Sequence, residues 1–441
     1  MSAELPRRIG FWGGAALMVG NILGSGIFQA PGSIAAETGS PAVALAFWIG
    51  GGLLSLLGAL TFAELAASMP ATGGIYLYLH EGLGPRAAFT FGWTYQLLIK
   101  PFAGAALSIV FAHHVNALFG TQVPAPVLAC GLIVVLTVLN TLTVRGTTGT
   151  AIVLTLLKAL SLALIVGLGL SLGKGSAANF AATPSQHPLW MGAAPMLYAV
   201  LWTYDGWVDV TSVAGEIHDP ARNLPRILIA GTVGVIALYV AVNVVYISIV
   251  PLREMENLDT IAPLVMERLL GKSGAVAVTA MIVVSTVGAA NGAILTGARV
   301  TYAQARDGLL FRFLGHVHPR FLTPDVSLYS QAVLTAVAVV YLRRFKDLSE
   351  GYGFLMGIFY AGAAAAVLVL RRRRPDLERP YKCWGYPVVP LVFILVSLGM
   401  AALYIAHDWR TTLPWLAVLL VGFPAHAIWT RSTRADRMPG S

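Results

Sequence analysis

Long apolar blocks separated by short polar connections dominate the chain. Roughly twelve fall near residues 9–36, 41–68, 85–118, 124–143, 149–173, 191–216, 227–250, 274–303, 327–342, 352–370, 386–406 and 412–430. A helix needs about 20 apolar residues to cross the hydrocarbon of a bilayer. The pattern predicts an all-α integral membrane protein of about 12 transmembrane helices, built as one transmembrane domain over 1–441.

Two blocks carry their own breakers. The first is too long for one straight crossing, and "GNILGSGIFQAPG", Gly20 to Gly32, puts glycines, a serine and a proline along it. The sixth contains "LYAVLWTYDGWVDV", 197–210, interrupted at Thr203, Tyr204, Asp205 and Gly206. Both breaks lie midway along the first span of a five-span half, about 9–173 and about 191–370. Five is odd, so the halves would have opposite orientations, with the last two helices (386–430) outside the repeat. Breakers at matching places in two halves point to a transporter substrate site.

An unwound membrane helix exposes free N–H groups at the start of its second half and free C=O groups at the end of its first. The N–H end carries partial positive charge and suits a carboxylate. The carbonyls suit an ammonium. An α-amino acid zwitterion has both. Ser25, Gly26 and Ile27 could present N–H groups, and Ile22, Trp202, Thr203 and Asp205 carbonyls. Gly24 and Gly26 permit the required φ and a close backbone approach. A glycine kink that serves helix packing alone would explain one break. It explains the matched pair poorly.

Composition agrees. Hydrophobic residues make up 57% of 441 and charged residues 11%, against about 25% charged in an average soluble domain. "MSAELPRRIG" runs into the first span without a small-residue cleavage site, so no cleavable signal peptide is expected. Orientation follows from Lys and Arg. With an inner N-terminus, the inner segments hold Arg7, Arg8, Arg86, Arg145, Arg222, Arg226, Arg371 to Arg374, Arg379, Lys382, Arg431, Arg434 and Arg437, among others. The outer segments hold fewer: Lys174, Arg253, Arg268, Lys272, Arg343, Arg344, Lys346 and Arg410. Both termini therefore read as cytoplasmic, in a cell inner membrane. The net charge of +9 is this topology signal and not a nucleic-acid footprint. Cys130 and Cys383 suggest neither a disulfide nor a metal site. His113 and His114 read as interfacial polar residues. No catalytic cluster, metal set or cofactor motif has usable spacing, so neither an enzyme nor a cofactor is expected.

The two breaks, with three further stretches, resemble a known family. "GNILGSGIF" is similar to the first-helix signature of the amino acid–polyamine–organocation superfamily, and "FAELAASMPATGGIYLYL", 62–79, to its second helix and inner loop. "YDGWVDVTSVAGEIHDPARNLPRIL", 204–228, resembles the sixth helix and loop of its L-type amino acid transporter branch. "NGAILTGARVTYAQARDGLLFRFLGHVHPRFLTPDVSL", 291–328, and "RRRRPDLERPYKCWGYPVVP", 371–390, resemble two later regions. The resemblance implies a 5+5 inverted-repeat fold with unwound helices 1 and 6, alternating access, and exchange of amino acids. It assigns a carboxylate to Ser25, Gly26 and Ile27, and an amine to Ile22, Trp202 and Asp205. It makes Trp202 the outer gate of the pocket. Animal members carry a cysteine after helix three that tethers a partner glycoprotein. "HHVNALFGTQVPAP" has none, so no disulfide-linked heavy subunit is expected.

Ionisable residues inside a membrane are functional candidates by default. Lys158 stands where related sodium-coupled folds hold an ion, so its ammonium could bond the carbonyls of unwound helix one and couple conformations without sodium. The carboxylate of Asp205 is expected to cap the second half of span six, or alternatively to meet a cationic substrate. Glu64 is expected to bond the inner loop or gate, and Lys100 to have a local structural partner beside Pro101. Trp207, Val208 and Asp209 could set side-chain selectivity. The reading is a sodium-independent exchanger of neutral L-amino acids. A proton-coupled or cationic amino acid/polyamine transporter and a non-transporting membrane sensor are the alternatives.

Overall fold

The computed structural model describes residues 7, 9–71, 73–142, 147–183, 188–256 and 258–435. Of the residues that argued the orientation, Arg8, Arg145 and Arg437 lie outside them. The described chain is helical, and its one isolated bridge joins Ile9 to Ile217.

In order, the α-helices are α1 Phe11–Ile22, α2 Gly26–Glu37, α3 Pro41–Ser68, α4 Ile75–Leu83, α5 Pro85–Thr94, α6 Lys100–Phe119, α7 Ala125–Leu142, α8 Thr147–Ser171 and α9 Leu189–Tyr204. They continue with α10 Pro220–Ile249, α11 Leu252–Met255, α12 Ala262–Leu270, α13 Lys272–Arg306, α14 Asp325–Leu342, α15 Phe345–Arg373, α16 Val388–His407 and α17 Trp409–Ala435. Among the described residues, ten helices are long and apolar enough to cross a membrane, counting α1 with α2 and α5 with α6 as single spans. The other two expected spans are a shorter apolar helix, Thr155–Ser171, and the broken sixth span. That span is α9 followed by a 3-10 stretch, Trp207–Glu216.

Local chemistry explains the boundaries. Ser40 caps α3 by accepting from the Val43 N–H (3.4 Å), with Pro41 at the first turn, where its missing N–H costs nothing. Between α5 and α6 the chain widens into a π turn, Tyr95–Ile99. Pro101 follows and supplies no N–H to the preceding turn, the usual setting for such a bulge. The connection 251–273 holds α11 and α12. Ala262, Val265, Met266 and Leu269 fall on one buried face of α12, a helical period that was present in the sequence.

Polar residues point inward. Exposed apolar side chains such as Val134, Val138, Leu156, Leu160 and Val337 cover the outer faces of α7, α8 and α14, as a hydrocarbon solvent requires. Inside, α3 packs on α10, α6 on α13, and α2 on α9. The chain entering α1 is tied to the end of the 3-10 stretch. The Ile9 N–H donates to the Glu216 carbonyl (2.9 Å), and the His218 N–H donates to the Ile9 carbonyl (2.8 Å). The first and sixth spans therefore run together, and their breaks meet.

Candidate functional site

At the first break the Gly24 N–H turns back to the Ile22 carbonyl (2.6 Å). That robs the Gly20 carbonyl of its helical donor. Side chains from three other helices complete the exposed carbonyls. Lys158 Nζ donates to Gly20 (3.2 Å), the Tyr239 hydroxyl to Ile22 (2.8 Å), and Ser285 Oγ to Leu23 (3.4 Å). Lys158 thus holds the end of α1. Ile22 departs from expectation: two protein donors already fill its carbonyl, so it is not free for an amine.

The second half of the span starts without such help. Among the described residues, none accepts from the N–H groups of Ser25, Gly26 or Ile27, and Ser25 Oγ is buried with no partner. Four donors are therefore gathered at the positive end of α2.

The two breaks cross at their glycines. A Cβ on Gly26 would meet Thr203 Oγ1 at 2.5 Å and Thr203 Cα at 2.9 Å. Gly206 has φ +103°, and a Cβ there would lie 2.9 Å from the Asn21 carbonyl carbon. Only glycine permits these approaches. Thr203 turns its hydroxyl onto the Ala199 carbonyl (2.8 Å), and the Trp202 carbonyl accepts from the Asp205 N–H (3.3 Å).

A cavity of about 70 Å³ opens between the breaks. Its walls include Gly24, Ser25, Gly26, Trp202, Thr203, Asp205 and Gly206, with Lys100, Ala103 and Leu107 of α6, Gly292 and Ala293 of α13, and Tyr352 of α15. A wider cavity of about 580 Å³ adjoins it and shares Gly26 and Trp202. His113 and His114 line this wider space with Glu37, Asp259, Arg343 and Arg344. The Trp202 ring stands between the two cavities, edge-on to Tyr352 (5.1 Å) and Phe345 (5.7 Å).

The far end is shut. The Glu64 carboxylate accepts from Arg371 Nε (2.8 Å), Arg371 Nη2 (2.6 Å) and the Cys383 N–H (2.7 Å), with Arg379 Nε at 3.5 Å. Beside it, the Tyr76 hydroxyl of α4 donates to Asp307 (2.9 Å) and Arg374 to Glu81 (2.8 Å). Burial pushes the Cys383 thiol up to about 11, and the Glu64 charge adds to the rise.

Besides Ile22, three further sequence expectations are corrected or extended. The Asp205 carboxylate does not cap the 3-10 stretch, whose preceding residue is Gly206 with no side-chain cap. It accepts instead from the hydroxyls of Tyr352 and Tyr360, because the break turns it toward α15. Lys100 has the expected local partner, Tyr95, and a distant one besides. Its ammonium lies 3.7 Å from Asp209 and over the Tyr95 ring (5.2 Å), since the π turn rotates it inward. Val208 does not reach the cavity between the breaks. It faces a crevice of about 20 Å³ on the shut side, with Gly73, Gly74 and Tyr95, because the tight 3-10 winding turns it away from Gly206.

Sequence reasoning missed Tyr239, Ser285, Tyr352 and Tyr360. Only the last two left a signal. They stand eight residues apart in "GYGFLMGIFY", two helical turns on one face.

Over residues 9–423 the sequence matches the amino acid permease family. It is 33% identical over 406 residues to the b(0,+)-type amino acid transporter 1 of Mus musculus, spanning 90% of this chain and 82% of that protein. It is 32% identical over 427 residues to the serine/threonine exchanger SteT of Bacillus subtilis (strain 168), spanning 96% of both. To the large neutral amino acids transporter small subunit 2 of Homo sapiens it is 31% identical over 438 residues, 96% of this chain and 80% of that protein.

Proposed function

The chain belongs to the amino acid permease family, and from that premise we propose that it exchanges neutral L-amino acids across the membrane without sodium. The observation that carries this reading is the set of unpartnered donors at Ser25, Gly26 and Ile27, the first two in the wall of the cavity between the breaks. They offer a carboxylate what water would otherwise supply. The ammonium of the amino acid meets the carbonyl end of α9 and the nearby Asp205 carboxylate. Lys158 holds the Gly20 carbonyl in place of a sodium ion.

Alternating access then works between the wide cavity, on the outer side, and the Glu64 cluster, on the cytoplasmic side. Both termini are cytoplasmic in an inner membrane. The halves 9–173 and 191–370 form the inverted repeat, and 386–430 lies outside it. The 113–126 connection has no cysteine, so the chain works without a disulfide-linked subunit.

The test is uptake by proteoliposomes preloaded with single unlabelled amino acids. Trans-stimulated uptake that ignores sodium and pH gradients supports exchange. Uptake into empty vesicles driven by a proton gradient would replace exchange with symport, a reading that Asp205 at the cavity favours. Binding without any uptake would leave only a sensor.

A further inference from the structure

Lys100 and Asp209 are both walls of the 70 Å³ cavity. With Tyr352 they also line the crevice on the shut side. They form the partition between the two, one on α6 and one on the second half of the broken sixth span. Their separation, 3.7 Å, is attraction without a hydrogen bond, since a charged N–H···O bond closes at about 2.7–2.9 Å. Lys100 is 4% exposed. Asp209 Oδ2 receives one long bond, from Asn21 Nδ2 at 3.3 Å. Asp209 is 22% exposed, and Lys100 also interacts with the Tyr95 hydroxyl, so the pair is part-buried and the 3.7 Å gap leaves some of its desolvation cost uncompensated. A group that donates to Asp209 and accepts from Lys100 at once would offset it.

We propose that the Lys100–Asp209 pair is the recognition floor for the substrate's side chain, and that it selects short side chains ending in a hydroxyl or carboxamide. The proposal rests on the cavity being an amino acid site. A hydroxyl donates its proton to the Asp209 carboxylate and accepts from the Lys100 ammonium. A methyl group in its place covers both ions and bonds neither. A second carboxylate meets Asp209, and a second ammonium meets Lys100. The walls beside the pair include Ala103, Leu107, Ala289, Gly292 and Ala293, and the volume of about 70 Å³ suits a short side chain.

Threonine and valine are isosteric and differ by the hydroxyl, so they test the floor directly. In proteoliposomes of the full chain, each competes against exchange of labelled alanine. A hydrogen bond to a charged group is worth about 10-fold to 100-fold in affinity. Wild type is expected to prefer threonine over valine by that factor. The preference should fall to within about threefold in Lys100→Met/Asp209→Leu, which removes both ions together and leaves neither buried alone, and should be largely retained in Lys100→Arg. Equal inhibition by threonine and valine in wild type overturns the proposal while leaving amino acid exchange standing, and needs no variant. A double variant that still exchanges alanine and keeps the full threonine preference also overturns it. Wild type that exchanges no amino acid overturns the reading of the cavity itself.

Discussion

Replacing Glu64 by Gln should unlock the shut end, and Cys383 reports it. Glu64 is 2% exposed and takes both arms of Arg371, the Cys383 N–H and the edge of Arg379. Glutamine keeps the shape but loses the charge, and its NH2 faces guanidinium groups. Breaking a buried ion pair costs about 3–5 kcal/mol. Arg371 is 21% exposed and recovers water, so about 2 kcal/mol remains, or about 30-fold in the population of the open end. The Cys383 thiol lies 5% exposed with its pKa raised to about 11. At pH 8 about one such thiol in 1000 is a thiolate. In a Cys130→Ser background, which leaves Cys383 as the sole cysteine, wild-type alkylation should be slow and still rising with pH toward 11. Glu64→Gln should react about 30-fold faster at pH 8, where opening limits access. Its pH profile should shift downward, because the raising charge is gone and the thiol meets water. A folded variant labelled at the wild-type rate with the wild-type profile would refute the latch.

Three further outcomes are expected. Lys158→Met removes the donor to the Gly20 carbonyl and should slow exchange more than about tenfold, since a charged hydrogen bond to a buried carbonyl is worth about 1.5–3 kcal/mol; equal KM values measured from both membrane faces, at wild-type rate, would contradict it. Gly24→Ala and Gly26→Ala should separate binding from folding. A Cβ on Gly24 meets only the Ile22 carbonyl at 3.8 Å, whereas one on Gly26 strikes Thr203 backbone. Gly24→Ala should therefore lose amino acid affinity at unchanged melting temperature, and Gly26→Ala should lose both, read by thermal shift in detergent. Asp205→Asn has one acceptor oxygen for the two tyrosine hydroxyls of α15. It should lower stability by about 1–3 kcal/mol, whereas Tyr360→Phe in the same background should restore part of it.

The membrane class and both breaks were legible because each depends on residues adjacent in the chain. An apolar block inserts whatever its neighbours do, and Gly-Ser-Gly or Asp-Gly disrupts a helix locally. That Glu64 would bond a loop was also in view, but not that the loop is the one after α15. The 3-10 winding after Gly206 was not, and it moved Val208 out of the cavity. The partners of the buried charges were hidden for a plainer reason. Lys100 meets Asp209, Asp205 meets Tyr352 and Tyr360, and Glu64 meets Arg371 across more than a hundred residues each, and no period or spacing links them.

By itself, then, the sequence determined what must happen at each point of the chain: which segments cross the bilayer and where two of them cannot stay helical. Only the tertiary structure decided which side chains complete the exposed backbone. Lys158, Tyr239 and Ser285 close the carbonyl end of the first break, and among the described residues none closes the N–H end. Local chemistry creates unsatisfied groups. Packing of distant helices chooses which of them are answered by the protein and which are left to a ligand.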